Sequence, residues 1–522
     1  MDEIIKLPQF SKWVPKRKNE KNPIFKEEER ITKTLKDLKD RHKISETLYL
    51  KLKPTGSQPP RIYGLAKIHK RNTPLRPVLS MPGSMYYKIA TQVAEWLSKV
   101  DKCRINTSTK TISDSLKDVH LREDEEIISF DVTSLYTNVP VVEAIEYCTN
   151  LLFSGSYEKP PVDKSTFRTL LEMCSYNVLM LTNDGYYKQT DGLAMGSPPA
   201  PMLANGWLSK FDQIVKDDST LYARYMDDIL KNIKKSEVDG KLEQINGLHP
   251  SLKFTIEREN NNCLAFLDML IINQEGKLSS IWYTKGTDTG LTMNYHALAP
   301  ERYKRSVVSG MVHRILRACS SWKAVHKSLI KAKQILENNQ YPPCFYDPII
   351  ERTLQSFHQS NVPESEETTE EKAETKMLSL QYRGKLSEQF EKSLKKLGAP
   401  CKVVFTLRKL KSVLPALKPA VEKPLKSGVV YQILCPRCNA CYVGQTNRHF
   451  ITRFKEHIRA SSPVGSHMKS CEVNVTLDNV KYLASASKQK QLLILEALFI
   501  KDLRPTLNTK DEYRSHNLVI KI

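Results

Sequence analysis

Two adjacent carboxylates, Asp227 and Asp228, stand in YARYMDDIL (222–230) between short apolar, β-prone runs. The pattern predicts a tight hairpin with the acids at its tip. Side chains alternate along a strand, so one carboxylate can turn into a site while its neighbour supports it. Packed anions require a cation, and hard oxygen ligands suit Mg²⁺, which also takes substrate phosphates. A lone Asp-Asp pair is ordinarily an acidic turn, but a second acid occurs in a matching setting. Asp131 lies in IISFDVTSLYTNVP (127–140), at the end of a buried strand predicted at Ile127, Ile128 and Phe130. One carboxylate from each of two neighbouring strands meets the requirement of two-metal phosphoryl transfer. In that chemistry, ions about 4 Å apart serve the attacking and leaving oxygens. Tyr136, five residues on, could set a ring beside the sugar of an incoming nucleotide. Between the acids, GLAMGSPPAPMLAN (192–205) reads as a Gly/Pro-punctuated loop opening into an apolar helix. Its small residues would let a base pair approach the backbone closely.

A second constellation begins at Ser427. GVVY (428–431) and CYVGQT (441–446) carry Tyr431 and Tyr442. Arg453 and His457 follow, four apart and hence on one helical face. Glu496 sits inside the apolar QLLILEALFI, where an acid is costly without a partner or an ion. Asn508 lies in RPTLN. Within this stretch, Cys435 and Cys438 form a CxxC followed by His467 and Cys471, three residues between them. That is zinc-ligand spacing, and four N/S ligands make a closed structural site. Cys441 is a competing ligand, disfavoured because it adjoins the Tyr442 strand.

The elements that must position these residues can be outlined from the rest of the chain. At 522 residues there is room for two or more domains with sizeable cores. Lys and Arg exceed Asp and Glu by 22, with a pI of about 9.3, which points to a polyanionic partner, nucleic acid by default. No stretch approaches the ~18 apolar residues of a membrane span, and the start lacks the apolar segment of a signal peptide. Eleven cysteines, scattered except near residue 440, fit a reducing compartment and a metal site better than a disulfide framework.

Residues 1–50 are charged, with a helix expected around Glu27–His42. PPRIYGLAKIHKRNTPLRPVLS (59–80) places Lys67 and Arg76 on a basic hairpin; a triphosphate needs such cations on a rigid support. FLDMLII (266–272) reads as one strand, with Asp268 structural. Val308, Met311, Val312, Ile315, Cys319 and Trp322 predict one amphipathic helix over 301–336, with Lys304, Arg305, Arg314, Arg317 and Lys323 on its other face. Pro363–Lys376 is acidic and poor in apolar residues, so it should be flexible. Leu386, Phe390, Leu394 and Leu397 mark a further helix, ended by Gly398 and Pro400.

FDVTSLYTNVP, GLAMGSPPAPMLAN and YMDD, in that order, resemble motifs A, B and C of reverse transcriptases, and the wording is closest to Penelope-like retroelements. The chain departs from that family at Pro199 and Ala200, where Leu and Ser are usual. The resemblance implies an α+β multidomain fold: a right-hand polymerase of fingers, palm and thumb, followed by a small α/β GIY-YIG nuclease domain. Its expected boundaries are an N-terminal segment at 1–50, shorter than the family's; fingers and palm at 51–285; and a thumb at 286–345. An acidic linker (346–376), a connector (377–425), the nuclease with its zinc knuckle (426–510) and a tail (511–522) complete it.

By the same resemblance Asp131 and Asp227 are ligands of Mg²⁺ or Mn²⁺, Asp228 is the supporting acid, and Tyr136 is the gate against a 2′-hydroxyl. Lys67 and Arg76 would reach the triphosphate. In the nuclease, a tyrosine of the Tyr431/Tyr442 pair would help deprotonate water, and Arg453 would steady the phosphate. Glu496 would hold one divalent metal, His457 would lie close to the cleavage site, and Asn508 would close the pattern. The implied activity is RNA-directed DNA polymerisation coupled to DNA nicking for target-primed integration. Its partners would be an RNA template, DNA primer and target, and deoxynucleoside triphosphates, with the protein acting in the nucleus. The alternative is a domesticated or decayed copy that binds nucleic acid without catalysis.

Overall fold

The computed structural model describes residues 5–15, 21–68, 73–101, 107–154, 157–360, 376–398, 401–407, 409, 414, 418–486 and 488–508. The expected tail (511–522) and nearly all of the Pro363–Lys376 linker lie outside them. Two compact units interleave along the chain: Met1–Arg104, Ser134–Ser209 and Leu417–Ile522 form the first, and Ile105–Thr133 with Lys210–Ala416 the second. The expected palm is divided between the units, and the C-terminal domain belongs to the first.

In the second unit, Glu125–Val132 is flanked by Asp228–Lys234 and Phe254–Arg258, with Tyr222–Tyr225 outside, in one antiparallel sheet. Ile127, Ile128 and Phe130 are buried, as a central strand covered on both faces requires. The predicted 266–272 strand is instead a hairpin, Cys263–Phe266 and Met269–Gln274. Leu267 takes φ 54 at its turn, and the Asp268 carbonyl accepts the Tyr283 N–H. Likewise the single helix over 301–336 is two, Glu301–Ala318 and Trp322–Asn338. Ser321 ends the run by accepting the Ala324 N–H as an N-cap, which leaves Trp322 52% exposed. A third helix, Pro343–Ser360, occupies the first half of the expected linker. Tyr346, Ile349 and Ile350 hold it in the same apolar core as Val308, Val312 and Ile315. The connector pairs Lys376–Gln381 in parallel with Cys401–Thr406 across the helix Lys385–Lys396, on which Leu386 and Phe390 are exposed.

In the first unit, strands Phe10–Lys12, Gly185–Gln189, Val178–Thr182, Arg61–Ala66 and Leu75–Ser80 form a five-stranded sheet in that spatial order. The N-terminal segment is thus part of the fold and not a bare charged helix. Its Pro23–Asp40 helix buries Ile24, Ile31 and Leu35. The loop before the Ala200–Leu208 helix contains two glycines with positive φ, Gly192 (φ 73) and Gly196 (φ 102). A Cβ at either would lie 2.6 Å from the Thr137 carbonyl or 2.3 Å from that of Leu79. These glycines serve close approach of the chain's own backbone; the base pair expected from sequence is not what demands them. The C-terminal part has an antiparallel three-stranded sheet, with Val429–Leu434 between Cys441–Thr446 and Val480–Ser485, covered by Gln489–Leu503.

Candidate active sites and a Cys/His cluster

The three palm acids meet in the second unit. Asp131 and Asp228 are cross-strand partners in register, so their Cβ atoms are about 5 Å apart. Asp227 precedes Asp228 in the turn, after Met226 at φ 56. Burial, reinforced by Asp227 and Asp131, pushes the Asp228 carboxyl up to about 6, while Lys285 pulls against it. A divalent cation is the group whose charge such a cluster fits: oxygen donors, half-buried, repelling one another.

One part of this site was not read from sequence. Arg224 is fully buried and donates to Asp212 from Nε (2.7 Å) and Nη2 (2.9 Å). Its Nη1 donates to the Met226 carbonyl at 3.1 Å, and Tyr222 donates its hydroxyl to Asp212 at 2.9 Å. The guanidinium therefore ties the turn carrying Asp227 to the short Asp212–Lys216 helix. Burial, then Asp212, holds the Tyr222 hydroxyl far above its ordinary pKa. The available signal was the alternation of YARYMDD, which puts Arg224 on the same inward side as Tyr222.

Tyr136, Lys67 and Arg76 lie in the first unit. Tyr136 is half-buried in the short Leu135–Asn138 helix, and its carbonyl accepts the Leu193 N–H. Arg76 is exposed on Leu75–Ser80 opposite Leu65, and Lys67 follows the paired strand, its N–H donated to the Pro74 carbonyl.

The C-terminal residues also assemble. Tyr431 Oη lies 2.7 Å from His457 Nε2, and Tyr442 stacks obliquely on the same imidazole at 4.8 Å. Gly444 stands opposite Tyr431; a Cβ there would meet Tyr442 Cε1 at 2.7 Å and Tyr431 Oη at 2.9 Å. Burial, then the Arg453 charge, lowers the His457 pKa to about 4, so the ring is neutral at pH 7 and can accept a hydrogen bond from the Tyr431 hydroxyl, which burial holds well above its ordinary pKa. Arg453 donates to Glu456 at 2.9 Å; with Arg448, it holds that carboxylate down to about 2. Glu496 is half-buried, not enclosed in apolar surroundings, because Ile494 and Leu498 on the same helix face outward. Its charge nonetheless acts on Tyr431. Asn508 clasps the strand beside Tyr442: its amide accepts the Val443 N–H (2.9 Å) and donates to the Val443 carbonyl (2.8 Å).

The ligand atoms of Cys435, Cys438, His467 and Cys471 all lie within 4.8 Å of one another, and Cys441 is outside the group. His467 and Cys471 come from one turn of the helix Pro463–Cys471. Bond lengths of 2.0–2.3 Å to a tetrahedral zinc put its ligands roughly 3.5–4 Å apart, so the donor set and spacing suit it. Although burial opposes it, the Cys438 and Arg437 N–H groups and His467 hold the Cys435 thiol down to about 6, favouring a thiolate.

Residues 68–260 match the reverse transcriptase (RNA-dependent DNA polymerase) family, and residues 291–351 the animal helix-turn-helix domain. No curated protein matches the chain. Among solved structures it is similar to telomerase of Candida albicans with a fragment of telomeric RNA (11% identity, TM-score 0.39, 64% of this chain and 65% of that one). It is also similar to apo telomerase of Candida tropicalis (12%, 0.34, 57% and 63%). A third is the Sicinivirus RNA-dependent RNA polymerase (11%, 0.36, 60% and 71%). The chain spans just under two thirds of each of these telomerases. Asp131, Asp227 and Asp228 all fall inside the 68–260 stretch that matches the reverse transcriptase family.

Proposed function

We propose that the protein is an RNA-directed DNA polymerase joined to a DNA-nicking endonuclease, of the Penelope-like kind. The polymerase reading rests on one observation above all: Asp131 and Asp228 in register, with Asp227 in the adjoining turn, inside the reverse transcriptase match. Asp131 and Asp227 would hold two divalent ions, which would supply activation of the primer 3′-hydroxyl and stabilisation of the departing pyrophosphate. Asp228 supports that pair, and Arg224 holds the turn that carries Asp227. Lys67 and Arg76 meet the triphosphate of a deoxynucleotide, and Tyr136 rejects a 2′-hydroxyl. The exposed Arg314, Arg317 and Lys323 in the helix-turn-helix match offer cations to a template–primer backbone.

The endonuclease reading is supported by the Tyr431–His457–Tyr442 group beside Arg453 and Glu496. There a tyrosine of the Tyr431/Tyr442 pair would help deprotonate the attacking water, His457 would lie close to the cleavage site, and Arg453 would meet the phosphate. Glu496 would hold a Mg²⁺ or Mn²⁺ ion; the Cys/His cluster would carry a structural Zn²⁺. Nicked target DNA would prime synthesis on an RNA template in the nucleus.

The test is extension of a DNA primer on an RNA template with Mg²⁺ or Mn²⁺, by wild type and Asp227→Asn. Loss of extension with retained nucleic-acid binding is expected in the variant. Equal extension by both proteins would sink the assignment, and inactivity of both would favour a decayed, binding-only copy.

A further inference from the structure

The C-terminal domain meets a specific surface on the N-terminal segment within the first compact unit. His449, only 5% exposed, lies 2.7 Å through Nε2 from the Ser57 carbonyl, and its ring meets Phe25 edge-on at 4.7 Å. Glu28, on the Pro23–Asp40 helix, accepts the N–H groups of Gly56 (3.1 Å) and Ser57 (2.9 Å) and lies 3.7 Å from the same imidazole. Gly56 has φ 60, and a Cβ there would be 2.1 Å from the Asn447 carbonyl and 2.9 Å from the Ser427 Cβ. The loop is thus shaped by Glu28 to a backbone-on-backbone contact that admits only glycine. Further along, Lys418 donates to Ser80 at 2.8 Å and lies over the Tyr63 ring.

We propose that the Phe25–Glu28 turn and the Gly56–Ser57 loop form a dedicated dock for the C-terminal domain. His449 is the residue preceding the helix Phe450–His457, whose Phe450 packs on Tyr431 and which carries Arg453 and His457. The dock therefore grips the helix of the second candidate site at its first turn, and fixes that site to the fingers in place of a free tether. The contact is made of buried hydrogen bonds, ring packing and close backbone approach, not surface charge, so it resists salt. It stands whether or not the domain cuts DNA; only its consequence for nicking rests on the endonuclease reading.

The experiment uses the full chain with a protease recognition site inserted between residues 410 and 417. After cleavage and nuclease treatment, the two pieces are run on gel filtration in 0.5 M salt. Wild-type pieces should elute together, and Gly56→Val should separate them. His449→Ala, which alters the opposite side, should weaken co-elution at least tenfold on dilution. Zinc content of the C-terminal piece and primer extension by the other piece report that each variant stays folded. Separation of the wild-type pieces overturns the proposal, as does co-elution undiminished in both variants. Glu496→Gln should leave co-elution unchanged, so a failed endonuclease reading and a failed dock give different results.

Discussion

Removing the Arg224 guanidinium should uncouple the stability of the palm from its activity. The Arg224 and Asp212 side chains are 1% and 8% exposed, so Arg224→Met leaves a buried carboxylate that keeps the Tyr222 hydroxyl but loses the guanidinium. Breaking such a pair costs about 3–5 kcal/mol, roughly 6–20 °C of melting temperature for a unit of this size. Combining it with Asp212→Leu removes the orphaned charge, and the double variant should recover at least 1–2 kcal/mol of that loss on the usual scale of such cycles. Activity should not recover with it. The Nη1 donation to the Met226 carbonyl is absent from both variants, and Met226 sits in a left-handed conformation that costs about 1–2 kcal/mol to hold. A relaxed turn moves Asp227, and a displacement of about 1 Å costs on the order of 100-fold in rate. Primer extension measured 15 °C below each variant's melting point, over a Mg²⁺ titration, should show that drop in both proteins and a raised Mg²⁺ requirement. Near-wild-type extension by the folded Arg224→Met variant would refute the positioning role. Stability losses that simply add in the double variant would refute the coupling.

Other outcomes follow from the same geometry. Tyr136→Ala should raise ribonucleotide incorporation relative to deoxyribonucleotide; an unchanged ratio would mean the ring is only packing. Because His457 titrates near 4 in the fold and near 6.5 when unfolded, its neutral form contributes stability that is full above pH 6.5 and lost as pH falls toward 4. Thermal melts of His457→Gln across that window should be flatter than those of wild type, and parallel curves would contradict the shift. Cys438→Ser should lose the zinc equivalent and lower the stability of residues 427–508, whereas Glu496→Gln should keep both and lose cleavage. Full zinc in Cys438→Ser would make Cys441 the next ligand to test.

What local sequence could specify, it did. The apolar run before Asp131, the paired acids of YMDD and the CxxC with its later HxxxC follow from strand periodicity, turn chemistry and ligand spacing. Each needs only a few neighbouring residues to be legible. Segment boundaries depend on competing local signals: the Ser321 cap splits the helix expected over 301–336, and Leu267 turns one expected strand into a hairpin. The tertiary structure alone decided which distant residues share a site. Register places Asp131 against Asp228, about a hundred residues on, because the central strand must bury both faces. Alternation in YARYMDD can turn Arg224 inward, but only the fold supplies Asp212 as its partner. Nothing in HFITRFKEH or PTGSQPP announces that His449 and Ser57, 392 residues apart, will be hydrogen-bonded. That contact is written in no periodicity; it arises from a glycine's missing side chain and two backbones close enough to need its absence.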